Sequence, residues 1–178
     1  MKMDVLIFWD RRAPSGFERP VLRFISGITG FTVDIAENPV IFGGYLRNRD
    51  QTDACTILDD MATFVRLHRI ELPVLLVLGN DIFAPGLDFV FGLARPSAGV
   101  SVVSSVRLDN EHYGRYKNDE DLIDRIAKEG SHEIGHLYGL DHCNNHECIM
   151  YNPHTLDELD GKMKEFCPEC RDALLNRQ

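Results

Sequence analysis

His132-Glu133-Ile134-Gly135-His136-Leu137-Tyr138-Gly139-Leu140-Asp141-His142 is the stretch that decides how the remaining residues read. As a pattern it is H-E-x-x-H-x-x-G-x-x-H. Two histidines four apart share one face of an α-helix, so their imidazoles converge on a single point. Glu133 follows the first histidine and lies beside that point without being forced to bind there. Gly139 allows the chain to leave the helix at positive φ, where a side chain would be strained. That turn returns His142 as a third nitrogen donor. Three nitrogens around a tetrahedral zinc leave one position for water, and an open position distinguishes catalytic from structural zinc. Any one of these histidines alone reads as an ordinary surface or core residue. The coincidence of all five specified positions favours a metal site.

The expected helix begins well before the motif. Asn118 is suited to cap its N-terminus, with Asp119, Glu120 and Asp121 placed favourably against the helix dipole. Leu122, Ile123, Ile126, Ala127, Ile134 and Leu137 form an apolar stripe. Gly130 and Gly135 each cost about 1 kcal/mol of helix propensity relative to alanine, which suggests close approach by a sheet or by the metal site. Downstream, Cys143, Cys148, Cys167 and Cys170 form a C-x4-C…C-x2-C set. Four thiolates make a closed tetrahedral shell, so a zinc held there is structural. Cys143 adjoins His142, so this shell would clamp the strand of chain carrying the third histidine. His146 and His154 are the substitutes if one cysteine is not a ligand. Cys55, alone on an upstream helix, reads as a small buried apolar residue.

The chain has 178 residues, a size suited to one domain with a sizeable core. Its formal net charge of −9 argues against a nucleic-acid surface and against a zinc-ribbon module built on the cysteines alone. No apolar run reaches bilayer length, and Met1–Asp10 lacks the apolar core and cleavage site of a secretory signal. Five cysteines, four at metal-ligand spacing, point to zinc rather than disulfides and so to the cytoplasm, with a monomer favoured and neither membrane nor nucleic acid as partner.

Upstream of the motif helix, apolar runs at Val5–Trp9 and Pro73–Leu78 predict buried strands. Phe31–Ala36, Val40–Tyr45, Phe89–Ala94 and Val100–Leu108 predict further extended segments, and residues 79–86 a loop. Helical spacing predicts helices over Glu18–Ser26, closed by Gly27 and Gly30, and over Thr52–His68. Residues after Gly139 show little regular patterning until a short helix over Pro168–Leu175. The class implied is α/β: a mixed, largely parallel sheet with helices on its faces. We divide it into an upper subdomain over 1–139 and a small zinc-stabilised lower subdomain over 140–178, with the catalytic zinc between.

The extended pattern H-E-x-x-H-x-x-G-x-x-H-C-x4-C-x-M, followed by C-x-x-C, resembles the archaemetzincin family of zinc metallopeptidases. It runs from about Ser131 to Cys170. The resemblance implies a metzincin-like fold, a peptide or protein substrate, and a lean towards aminopeptidase action on short peptides. It also implies that Met150 lies beneath the catalytic zinc as the Met-turn methionine. Some metzincins carry a tyrosine two residues beyond that methionine; Tyr151 is adjacent to it, and we read it as packing. The chemistry itself makes Glu133 the general base for zinc-assisted hydrolysis, with two zinc ions per chain. An extended substrate pairs with a sheet edge, for which Phe89–Ala94 is the candidate. His112, Tyr113 and Tyr116 precede the motif helix and read as solvated loop residues. The competing reading is a catalytically dormant two-zinc binding or regulatory protein; an intact Glu133 counts against it.

Overall fold

Strand β1 (Val5–Trp9) leads through helix α1 (Glu18–Thr29) to β2 (Val33–Glu37), in a computed structural model that describes residues 4–176. Met1–Met3, where the stretch compared with a secretory signal begins, lie outside the described residues. The chain continues with β3 (Tyr45–Leu46), β4 (Gln51–Asp53), α2 (Ala54–Leu67), β5 (Val74–Leu78), β6 (Ile82–Phe83), β7 (Gly92–Arg95) and β8 (Val100–Ser104). Helices α3 (Asp119–Leu137), α4 (Leu156–Gly161) and α5 (Pro168–Leu175) complete it. Five strands form one sheet in the order β2-β1-β5-β8-β7. All neighbours pair in parallel except β7, which closes the edge antiparallel to β8. A smaller sheet, β3-β4-β6, stands apart.

The period-2 geometry of strands sorts side chains to two faces. Val5, Ile7, Trp9, Leu75, Val77 and Val103 join the core that contains α1 and α3. Phe8, Val74, Leu76, Leu78, Val100 and Val102 point the other way, into the core under α2. Every residue of β5 and β8 is buried, as expected for strands covered on both faces. The segment after Gly139 adds Ile149, Met150, Leu159, Phe166 and Leu174 to the same core as α1 and α3.

Element types agree with the sequence reading at most positions, and the differences have local causes. Helix α2 starts at Ala54 because the Asp53 carboxylate caps it, accepting from the Cys55 amide at 2.9 Å. Helix α1 runs through Gly27 to Thr29, and Gly30 ends it in the left-handed region at φ 77°. The strand expected over Val100–Leu108 stops at Ser104, and a 3-10 turn follows over Val106–Leu108. The stretch expected as Phe89–Ala94 pairs with β8 only from Gly92, since the Val90 amide bonds to the Ile82 carbonyl of the smaller sheet. Of Val40–Tyr45 only Tyr45 pairs, while the expected loop over 79–86 contains β6. Helix α4 falls in the stretch read as unpatterned. Its cap is Thr155, whose hydroxyl accepts from the Glu158 amide, a T-x-x-E signature legible in the sequence. Cys55 is half-buried rather than buried.

Helix α3 is the spine of the molecule. The Asn118 side chain caps it as expected, accepting from the amides of Glu120 and Asp121. Buried Arg125 reaches from α3 to α4, donating from Nε and Nη2 to the two Asp160 carboxylate oxygens at 2.6 and 2.7 Å. The two glycines match their expected purpose. A Cβ at Gly130 would come within 3.0 Å of Ile25 and Leu75 side-chain tips, the latter on the sheet. A Cβ at Gly135 would overlap the Met150 sulfur.

Candidate metal centre

The end of α3 brings three imidazoles together. Ring centroids of His132, His136 and His142 lie 4.6, 5.3 and 4.8 Å apart, and their donor nitrogens all fall within 4.8 Å of one another. Helical spacing sets the first two on one face. The third arrives because the chain leaves the helix at Tyr138 and turns at Gly139, whose φ is 81°. Exposure grades across the set, from buried His132 through half-buried His136 to exposed His142.

Backbone carbonyls fix the tautomers. His132 Nδ1 donates to the Ile149 carbonyl and His136 Nδ1 to the Leu140 carbonyl, each at 2.8 Å. A carbonyl only accepts, so the hydrogen sits on Nδ1 and leaves Nε2 as a bare lone pair. The two Nε2 atoms face each other across 3.1 Å. Protonation does not relieve that repulsion: burial holds the His132 imidazolium well below its usual range and lowers those of His136 and His142. A divalent cation does relieve it, so the donor set fits zinc.

Cys143, Cys148, Cys167 and Cys170 form a second convergent group, with all four sulfurs within 4.8 Å of one another. Cys143 and Cys167 sulfurs are 3.9 Å apart. That is far beyond disulfide length and close to the edge of about 3.8 Å in a tetrahedron with zinc–sulfur bonds near 2.3 Å. Amides of Asn145, Met150 and Cys167 point at the Cys143 and Cys148 sulfurs, as suits thiolate acceptors. The two groups are tied together through the backbone. The Cys143 amide donates to the Met150 carbonyl at 2.9 Å, and Ile149, between Cys148 and Met150, orients His132. His146 packs at a tilt against Tyr151 and stays outside the cysteine group, whereas His154 lines the histidine cleft.

Glu133 is buried beside the histidines. Burial, reinforced by the charge of Glu129 one turn earlier, holds its carboxyl well above the usual range, while Lys162 pulls the other way. Neither Glu129 nor Lys162 was apparent from the motif. The i, i+4 spacing of Glu129 and Glu133 was available; nothing local marks Lys162, which is 29 positions beyond Glu133 in the chain and nevertheless buried. Met150 is buried against Gly135. Tyr151 packs on His146, Tyr113 donates to the Arg107 carbonyl, and Tyr116 is exposed, so all three remain outside the cleft.

The cleft itself has a volume of about 580 Å³. Its floor is Glu129, His132, Glu133 and His136 of α3; residues 87–94 and Pro96 make one wall, and His142, Asn152, Pro153 and His154 the other. Strand β7, the sheet edge that overlaps the expected Phe89–Ala94 stretch, therefore borders the histidines. A larger concavity of about 790 Å³ opens at the carboxyl ends of β1 and β5, lined by Asp10, Arg12, Asn80 and Asp81 among others, and contains none of the motif residues.

Two histidines near the end of a long helix and a third from the turn beyond it, with a buried glutamate between the first two and an edge strand alongside, are the arrangement expected of a zinc metallopeptidase. The family model described as Peptidase family M54 matches residues 53–176, and the chain belongs to that family. The archaemetzincin of Sulfolobus acidocaldarius is 39% identical over 150 residues, covering 82% of this chain and 81% of that one. The archaemetzincin of Thermococcus kodakarensis is 45% identical over 95 residues, so the match spans about half of each protein, 53% here and 51% there. Among solved structures, a zinc-dependent peptidase from Methanocorpusculum labreanum superposes with a TM-score of 0.90 at 43% identity, covering 96% of this chain and 99% of that one. Among the described residues, no helix is long and apolar enough to cross a membrane.

Proposed function

We propose that the chain hydrolyses peptide bonds, with His132, His136 and His142 holding a catalytic zinc, Glu133 as general base, and the four cysteines holding a second, structural zinc. The single observation that carries the reading is the pair of bare Nε2 lone pairs 3.1 Å apart beside a buried carboxylate. Bound zinc supplies Lewis-acid chemistry, polarising the peptide carbonyl and acidifying water. The residues do the rest. Glu133 accepts the proton of the attacking water and returns it to the leaving amine. The free edge of β7 offers backbone groups to an extended substrate. The Cys group ties the His142 loop to α5, and Met150 supports the floor from beneath Gly135. On the family resemblance, we extend the proposal to short peptides cut in aminopeptidase fashion, with residues 1–139 and 140–178 as upper and lower parts around the cleft.

The test is digestion of a diverse peptide library by wild type and Glu133→Gln at matched zinc content, read by mass spectrometry. Cleavage by wild type and none by the variant is expected, and the cut positions separate amino- from endopeptidase action. No products from fully loaded wild type would favour the dormant binding reading.

A further inference from the structure

Glu133 swings on three side-chain bonds, so something outside it must set where its carboxyl rests. Strand β7 passes beside it. Period-2 geometry turns Leu93 and Arg95 towards α2, where Leu93 packs against the core and Arg95 donates to the Cys55 carbonyl at 3.4 Å. Gly92 and Ala94 therefore face α3 and the cleft, and Gly92 pairs with Val103, whose side chain lies in the α3 core. A Cβ at Gly92 would lie 2.6 Å from Glu133 Oε1, 2.9 Å from its Cγ and 2.9 Å from the Val102 carbonyl oxygen. Backbone freedom is not the reason for this glycine, because its φ lies outside the left-handed region. Space is the reason.

The strand cannot step aside to make room. The Phe91 carbonyl accepts from the Ser104 amide at 2.9 Å and the Val90 amide donates to the Ile82 carbonyl at 3.0 Å, so both sheets hold the segment leading into Gly92. Turning the Cβ towards β8 brings no relief while the Val102 carbonyl stands so close. Glu133 would have to yield. Ordinary van der Waals contact begins at 3.4 Å, so an oxygen now at 2.6 Å has to withdraw by about 0.8 Å. Misplacement of a reacting group by about 1 Å costs about 100-fold in rate. Resting on the peptidase reading above, we infer that Gly92 is a positioning residue for the general base: the side chain it lacks leaves the space in which the Glu133 carboxyl lies against β7. A merely structural glycine would answer to the Val102 carbonyl alone, and its replacement would cost the same whatever stands at position 133.

The experiment compares wild type with Gly92→Ala for kcat, KM and zinc content, and determines metal-free crystal structures of both. It also measures melting temperatures of zinc-loaded wild type, Gly92→Ala, Glu133→Ala and the double variant. In Gly92→Ala, kcat is expected to fall by about 30- to 100-fold with KM within about twofold and zinc retained. The Glu133 carboxyl should stand about 0.8 Å farther from β7 in the variant crystal. Gly92→Ala should lower the melting temperature at least about twice as much in the wild-type background as in the Glu133→Ala background. If Gly92→Ala fails to fold, the double variant decides: folding restored by Glu133→Ala supports the inference, and a double variant that stays unfolded overturns it. A wild-type kcat or lost zinc in Gly92→Ala, an unmoved Glu133, or equal losses of melting temperature in the two backgrounds also overturns it. With wild type active and Glu133→Gln dead, that failure leaves the peptidase reading intact. If wild type itself is inactive, the peptidase reading fails, while the crystal structures and the melting temperatures still decide the positioning.

Discussion

Gly135→Ala puts the packing of the metal helix to a quantitative test, because Gly130→Ala on the same helix is its control. Both substitutions recover about 1 kcal/mol of helix propensity. At position 130 the new Cβ meets the Ile25 and Leu75 methyl tips at 3.0 Å, ends of side chains that can yield by a few tenths of an ångström. The propensity gain and the packing cost then nearly cancel. At position 135 the Cβ overlaps the Met150 sulfur and lies 3.2 Å from its terminal methyl and 3.4 Å from a Phe166 ring carbon. Met150 is fully buried, and its backbone is held by Cys148 and Cys143 on either side, so the sulfur has no easy retreat. Overpacking of this kind costs about 1–3 kcal/mol, which leaves a net loss near 1 kcal/mol. In a protein of this size that is a Tm lower by about 2–4 °C, while Gly130→Ala melts within about 1 °C of wild type. Thermal unfolding of the zinc-loaded proteins by circular dichroism measures both. A Gly135→Ala protein as stable as the Gly130→Ala protein would refute the packing of Met150 against α3.

Two further outcomes follow from the same geometry. Burial keeps His132, His136 and His142 neutral below the usual imidazole range, so under about pH 6.5 the unfolded chain binds more protons than the folded one. Their contribution to stability is present above that pH and is lost on acidification, most steeply for buried His132 and less for half-buried His136 and exposed His142, whose charged forms water screens. Glu129 and Glu133, raised by burial, act with the opposite sign in wild type and variant alike. Urea unfolding of metal-free protein between about pH 7.5 and 5.5 should therefore show a shallower loss in His132→Gln than in wild type. Cys167→Ser should lower the zinc content from about two to about one per chain and reduce the melting temperature, because a closed thiolate site contributes folding energy directly. Elemental analysis beside a melting curve checks this, and a variant that keeps its full zinc content would remove Cys167 from the ligand set.

The parts of the site that were legible beforehand are those set by short-range geometry. Four-residue spacing places His132 and His136 on one face whatever surrounds the helix. Gly139 marks a positive-φ turn, Asn118 a cap, and the all-apolar run at 74–78 a doubly covered strand, each through interactions spanning a few residues. Strand ends were less legible. Val90 bonds to Ile82 rather than to β8, a choice between partners distant in sequence. Helix α4 does not register as periodic although Thr155 and Glu158 carry its signature, because six residues make too short a stripe.

The amino-acid order by itself determined which atoms can bind metal and how the local backbone presents them, since helix periodicity and glycine conformation act within one or two turns. It also determined the alternation of strands and helices that makes the sheet mainly parallel. Tertiary structure alone decided what surrounds Glu133. Gly92 from the sheet edge and Lys162 from beyond α4 reach it only after the chain has folded, while Glu129, though one helical turn away, is buried only by what packs upon it. The charge and space around the Glu133 carboxyl are set by these long-range juxtapositions, and burial acquires its electrostatic force only once packing has removed the water.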